Sequence, residues 1–323
     1  MRPRQVRSRS RSSKLAVPTG RRKMALRDIL VCLDAASTGD GRLALALNLA
    51  QAGKAHLTAV YTLPKPHESA APPARLGLPP TVLGPASPDG AGAIGGEPIS
   101  AAAPVASAAR ETERAKGVEQ RFREALPLRS LDGEWQMLNH GETAELIHLA
   151  SAADLVVLGQ YPDDDSDGLI WLQPDDVMID AGRPVLVIPY AGAFEHVGKR
   201  VLIAWNGTRE ATRALHDALP LIGGAEAVTV LHIGARQADL EHDRPWLDRI
   251  VHHLARHGIP AHPEESPHEG ISISDLLLSR AADLGADMIV AGAYHHSQLR
   301  ESLFGGVSRD LLDHMTVPVL MSH

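Results

Sequence analysis

Residues 286–321, ADMIVAGAYHHSQLRESLFGGVSRDLLDHMTVPVLM, decide how this chain is to be read. The run from Met288 to Ala291 is apolar without alternation, the pattern of a strand covered on both faces. Gly292 closes that run, a polar loop carries His295 and His296, and Gly305 and Gly306 precede a helical pattern and a last apolar run. A loop framed this way can cradle phosphate. Successive backbone N–H groups point inward, the helix N-terminus adds partial positive charge, and glycines allow close approach.

The same order occurs earlier in the chain. SAADLVVLGQY (151–161) parallels LGADMIVAGAY (284–294), and GRPVLVIP (182–189) parallels TVPVLMSH (316–323). At the front of each half, RDILVCLD (27–34) parallels KRVLIAWN (199–206), with Asn206 standing where Asp34 stood. Internal duplication is the economical explanation. Unalternating Val/Leu/Ile runs separated by helical patterns predict an α/β protein of two tandem, open, parallel five-stranded sheets flanked by helices. In the second half the strands are expected near 199–205, 226–233, 260–264, 286–291 and 317–322, with helices near 208–220, 243–256, 271–284 and 305–314. Asn206 or Thr208 is placed to cap the first of these helices, and Pro260 and Pro263 weaken the third strand.

This reading divides the chain into a tail at 1–25, a first unit at 26–190, a linker at 191–197 and a second unit at 198–323. The first unit is interrupted near 64–104 by a stretch dense in Pro, Ala and Gly, expected as a loop or lid. Residues 1–23 hold nine Arg and Lys and no acid, so the rest of the chain has 23 basic against 39 acidic residues, or −16. An acidic body argues against nucleic acid and membrane surfaces as partners. Three readings of the tail stay open: a basic arm, a targeting peptide, or a start set upstream of a natural one at Met24. No apolar run approaches the roughly 18 residues of a spanning helix, and Cys32, the single cysteine, points to a reducing cytoplasm. Cys32 itself lies in an apolar run, as a small buried residue does.

The segment 286–321, together with the duplication, resembles the universal stress protein family in its tandem, two-domain form, and the likeness covers nearly everything from residue 26 onward. What the resemblance implies is a HUP or Rossmann-like fold and a stress-response role. It also implies a pseudo-dimer within one chain, the last strands RPVLVIP and VPVLMSH pairing across a two-fold axis. Nucleotide-binding members carry Gly, two residues, Gly, nine residues, then Gly and Ser or Thr. Here Gly292 fills the first position, His295 stands at the second, Gly305 fills the third and Gly306 holds the Ser/Thr place. Spacing survives and two identities do not. By the same resemblance Asn206 contacts the sugar, Ile233 offers its backbone to adenine, and Ser308 is the hydroxyl nearest the one Gly306 lacks. ATP with magnesium is the implied ligand.

In the first half Pro162 and Leu172 take the later glycine positions, and Asp163, Asp164, Asp165, Asp167 and Asp175 would repel a triphosphate, so no nucleotide is expected there. DDDSDG lacks the closing Glu of an EF-hand loop. His253 and His257 share a helix face at i, i+4, without the Cys or HExxH context of a metal site. No Ser-His-Asp pattern or paired carboxylate stands beside a nucleophile. The sequence therefore supports a non-enzymatic stress-response protein that binds adenine nucleotide weakly or not at all in its second half and acts through protein partners, with a homodimer open. The alternative is an ATP-gated switch with slow or no hydrolysis; an adenylyl-transferring enzyme would need a motif that is not there.

Overall fold

The computed structural model describes residues 25–34, 37–63, 65–66, 102–139, 141–160, 169–170, 177–268, 270–293 and 306–323. Within them the first half runs β1 (Asp28–Leu33), α1 (Ser37–Gly53), β2 (His56–Thr62), β3 (Lys65–Pro66), α2 (Ala102–Leu128), β4 (Gly133–Leu138), α3 (Thr143–Ser151), β5 (Leu155–Gly159), β6 (Leu169–Ile170) and β7 (Val185–Ile188). The second runs β8 (Arg200–Trp205), α4 (Arg209–Ile222), β9 (Ala227–Gly234), α5 (Gln237–Arg256), β10 (Ala261–Pro267), α6 (Ile273–Leu284), β11 (Met288–Gly292), α7 (Gly306–His314) and β12 (Val319–Ser322).

The two expected sheets are halves of one. Strand order is β10-β9-β8-β11-β12-β7-β5-β1-β2-β4, and β3 pairs with β6 in a separate small ribbon. Each half is parallel throughout, and the seam between them is antiparallel, Val319 opposite Val187, Leu320 opposite Leu186 and Met321 opposite Val185. The pseudo-dimer thus closes through the last strand of each half. Gln160 reinforces the seam: its side-chain amide donates to the carbonyls of Leu312 and Asp313 at 2.7 and 3.0 Å, and its carbonyl oxygen accepts from the Tyr190 N–H.

Strands covered on both faces explain the unalternating runs. Ile29, Val31 and Leu33 turn toward the core beneath α1, α2, α4 and α5, while Leu30 and Cys32 turn toward the core beneath α3, α6 and α7. Burying each such side chain contributes about 1.5–3 kcal/mol. The duplication is also visible in a staple at the start of each half. The Asp154 carboxylate accepts the backbone N–H groups of Arg27 and Asp28, and the Asp287 carboxylate accepts those of Gly198, Lys199 and Arg200.

The third strand of the second half forms despite its prolines because β10 is an edge. Pro263 and Pro267 cost no ladder bond on the open side, and Glu264 and Glu265 discourage further pairing. Two boundaries differ from the sequence reading. α5 begins at Gln237 rather than near 243, with Pro245 accommodated inside it, and α2 begins at Ala102, within the stretch read as loop to 104. The tail, most of the insertion, the acidic loop, His295 and Gly305 lie outside the described residues. No helix among the described residues is long and apolar enough to cross a membrane.

Candidate nucleotide cleft

In each half β1 or β8 ends at a polar residue and hands over to a helix. At the second of these corners Gly207 turns with φ +74, Thr208 is the N-cap of α4, and its hydroxyl accepts the Ala211 N–H at 3.2 Å. Asn206 is not the cap; its Oδ1 accepts from the Thr208 N–H and hydroxyl at 3.2 and 2.8 Å. That commits the amide oxygen to Thr208 and leaves the NH2 group as the donor for a ligand.

A cavity of about 360 Å³ opens at the carboxyl ends of β8, β9 and β11, where open α/β sheets take their ligands. Asn206, Ile233, Gly292, Gly306 and Ser308 all line it, so five of the seven residues singled out from the sequence lie around one space. Its walls are otherwise apolar, with Trp205, Ile273, Leu277, Leu311 and Met321 among them. Sequence reasoning missed these because nothing distinguishes a wall residue from a core residue in the apolar pattern. Ser308, read from the family resemblance as the hydroxyl nearest the one Gly306 lacks, is buried and lines the cavity wall.

The two glycines of the described motif have different reasons for being glycine. A Cβ on Gly292 would meet the backbone N of Ala211 at 2.6 Å and the backbone C of Glu210 at 2.7 Å, so the absent side chain lets the start of α4 lie against β11. Among the described residues, none lies within 4 Å of where a Cβ on Gly306 would stand. The serine or threonine of the motif would displace none of them. No carboxylate lines the cavity among the described residues, so magnesium would have to arrive on the phosphates of its ligand.

Asn206 also borders a second, smaller hollow of about 270 Å³ with His232, Asp243 and Trp246. His232 bridges two elements here, Nδ1 lying 2.9 Å from the Trp205 carbonyl and Nε2 3.2 Å from Asp243.

The corresponding corner of the first half is closed. Asp34 is buried, and the Arg42 guanidinium, buried as well, donates to its carboxylate at 2.9 Å and to the Cys32 carbonyl at 2.8 Å. Arg42 lies flat against Gly159, where a Cβ would overlap the guanidinium. Asp34, placed by the family resemblance near base and ribose, is therefore spent on an internal ion pair. Burial beside this pair pushes the Cys32 thiol up to about 12, against the attraction of Arg42, so it is an inert packing residue.

His253 and His257 pack with ring centroids 4.7 Å apart and planes tilted by 59°, and α4 adds His216 at 5.0 Å from His253. Among the described residues no group of three or more side chains has the arrangement of a metal site.

The profile of the Universal stress protein family matches residues 198–323. Among solved structures, a universal stress protein from Archaeoglobus fulgidus DSM 4304 superimposes with a TM-score of 0.62 at 14% identity, covering 91% of this chain and 97% of that one. A functionally unknown protein from Pseudomonas aeruginosa PAO1 gives 0.53 at 18% identity, covering 92% of each chain. No curated protein matches the sequence. Residues 198–323 are therefore a universal stress protein domain, and the chain as a whole has the tandem universal stress protein fold.

Proposed function

We propose that the protein is a non-enzymatic, cytoplasmic stress-response protein whose second half binds an adenine nucleotide weakly and which acts through protein partners. The observation that carries this reading is the cavity at the carboxyl ends of β8, β9 and β11, where Asn206 and Ser308 present polar groups beside apolar walls and α7 opens on Gly306. Apolar walls suit a flat base, the Asn206 amide suits a sugar hydroxyl, and the helix N-terminus suits phosphate. Weakness follows from the chemistry. Gly306 supplies no hydroxyl, and Asn206 supplies no charge.

No histidine, cysteine, aspartate or glutamate is among the described residues that line the cavity, which supports binding without chemistry. The test is calorimetric titration with ATP and magnesium of the parent and of Gly306→Val. A Cβ at this position meets none of the described residues within 4 Å, so the valine narrows the mouth without a clash against them. Binding in the high-micromolar range that weakens at least about tenfold in the variant, a loss of about 1.4 kcal/mol, is the expected result. No heat and no thermal shift up to millimolar ATP would overturn the nucleotide reading, and steady phosphate release would overturn the non-enzymatic one.

A further inference from the structure

In the first half, where β1, β2 and β4 begin, a separate cavity of about 640 Å³ is lined by Arg27, Gln51, Lys54, His56, Arg129 and Asp132, among others. Three of these are permanent cations. Among the described residues none of the three is ion-paired with a carboxylate, whereas Arg42, Arg121, Arg123, Arg244 and Arg280 all are. Two are held in position by neutral acceptors. The Arg27 guanidinium donates to the Gly53 carbonyl at 3.3 Å, and that of Arg129 donates to the side-chain oxygen of Asn48, whose amide donates to the Glu195 carbonyl at 2.7 Å. A guanidinium has five N–H groups, so one such bond fixes its place and leaves others to give.

The duplicated half has no such cluster. Register places Lys199 opposite Arg27 in the repeat, Ala225 opposite Lys54, Glu226 opposite Ala55 and His257 opposite Arg129, an arrangement with one cation and one acid. The first half has also accepted strain here. Lys54 and Ser130, with φ 51 and 52, are the non-glycine residues of positive φ among the described residues, and both line the cavity. Gly258 keeps the repeat's counterpart of Ser130.

We propose that this cavity binds a small polyphosphate anion, a ligand carrying two or more linked phosphates. Fixed guanidinium groups recognise phosphate oxygens in pairs, and a lysine adds a mobile charge. The volume lies within the range of small-ligand pockets, about 300–1,000 Å³. Asp132 is outnumbered three to one by the permanent cations, which favours a more highly charged, linked polyphosphate over a single inorganic phosphate. The proposal is independent of the nucleotide cleft, which lies in the other half: the antiparallel seam turns both cavities to the same edge of the sheet, with β12, β7 and β5 standing between them.

The test is titration of the full chain with inorganic tripolyphosphate, at low and at physiological ionic strength, for the parent, Lys54→Gln, Arg129→Gln and Asp132→Asn. Micromolar binding is expected, weakened about tenfold by each loss of a cation and strengthened severalfold by Asp132→Asn. Opposite signs from one cavity cannot come from misfolding. ATP and tripolyphosphate compared in the Gly306→Val background separate the two sources of the same chemistry, a nucleotide's phosphate chain and a free polyphosphate. Equal affinity in all four proteins would place binding elsewhere, on the arginines of residues 1–23 for example, and overturn the proposal, as would no heat up to millimolar tripolyphosphate.

Discussion

The ends of β1 and β8 are the same corner of the same fold, completed in two ways. At the first, Asp34 is buried against Arg42, and the guanidinium fills the space over Gly159. At the second, Ala214 takes the place of Arg42, the backbone of α4 itself comes down on Gly292, and Asn206 remains exposed beside an open cavity. The difference teaches that one corner of the fold can be completed by an internal ion pair or by an open cavity. The first half gives its acidic residue an internal partner, which makes that residue structural.

The largest effect should come from breaking that internal pair. Arg42→Ala leaves the Asp34 carboxylate buried without its charge partner, and removing one member of a buried pair costs about 3–5 kcal/mol. Urea denaturation should show a loss of this size, and adding Asp34→Ala to the same chain should recover part of it. A loss below about 1 kcal/mol, the worth of an exposed pair, would mean that the corner is wetter than its burial implies and that Asp34 is still available to a ligand.

The next effect separates the two glycines at the ends of β5 and β11. Gly292→Ala drives a methyl group into the backbone of Glu210 and Ala211, which cannot rotate away, and overpacking of this kind costs about 1–3 kcal/mol. Gly159→Ala meets the end of a side chain, but that side chain is the buried Arg42, so it should lose stability through the ion pair and lose less when combined with Arg42→Ala. If Gly292→Ala abolished nucleotide binding without changing stability, Gly292 would serve the ligand directly rather than the seating of α4.

Much of this was legible in the sequence, and the reasons differ by feature. The strands announced themselves because both faces are covered, and the seam because RPVLVIP and VPVLMSH are the same segment twice. Gly292 and Gly306, which line the cavity, stand out because a spacing pattern survives the loss of its chemistry, whereas Asn206, Ile233 and Ser308 are singled out through the family resemblance. Arg42 could not be found either way. Nothing in LALALNLAQ or its flanks marks one arginine as buried, since burial depends on β5 approaching from 117 residues away in sequence. The cationic cavity of the first half was hidden for the same reason: Arg27, Lys54 and Arg129 are each unremarkable until β1, α1 and α2 bring their ends together.

The smallest effect concerns the helices over the outer strands, where the halves again diverge. The second half stacks His216, His253 and His257, and the first has Ala44, Ala125 and Arg129 at the matching positions. Burial lowers the pKa of His253 below 6.5, and His216, His257 and Arg256 add repulsion in the same direction. A histidine whose folded pKa is depressed binds fewer protons folded than unfolded, so stability rises with pH across the interval between the two values. Its contribution is complete above 6.5 and is lost as pH falls toward the depressed value. Melting temperatures of the parent should therefore decline as the medium is acidified below that point, and His253→Gln, which cannot charge, should decline less steeply. The result would tie acid sensitivity to the half that holds the candidate cleft, through α4, whose N-cap Thr208 holds Asn206 and whose third turn carries His216. Parallel slopes in the two proteins would instead assign any acid sensitivity to carboxylates elsewhere and leave the imidazole row as packing alone.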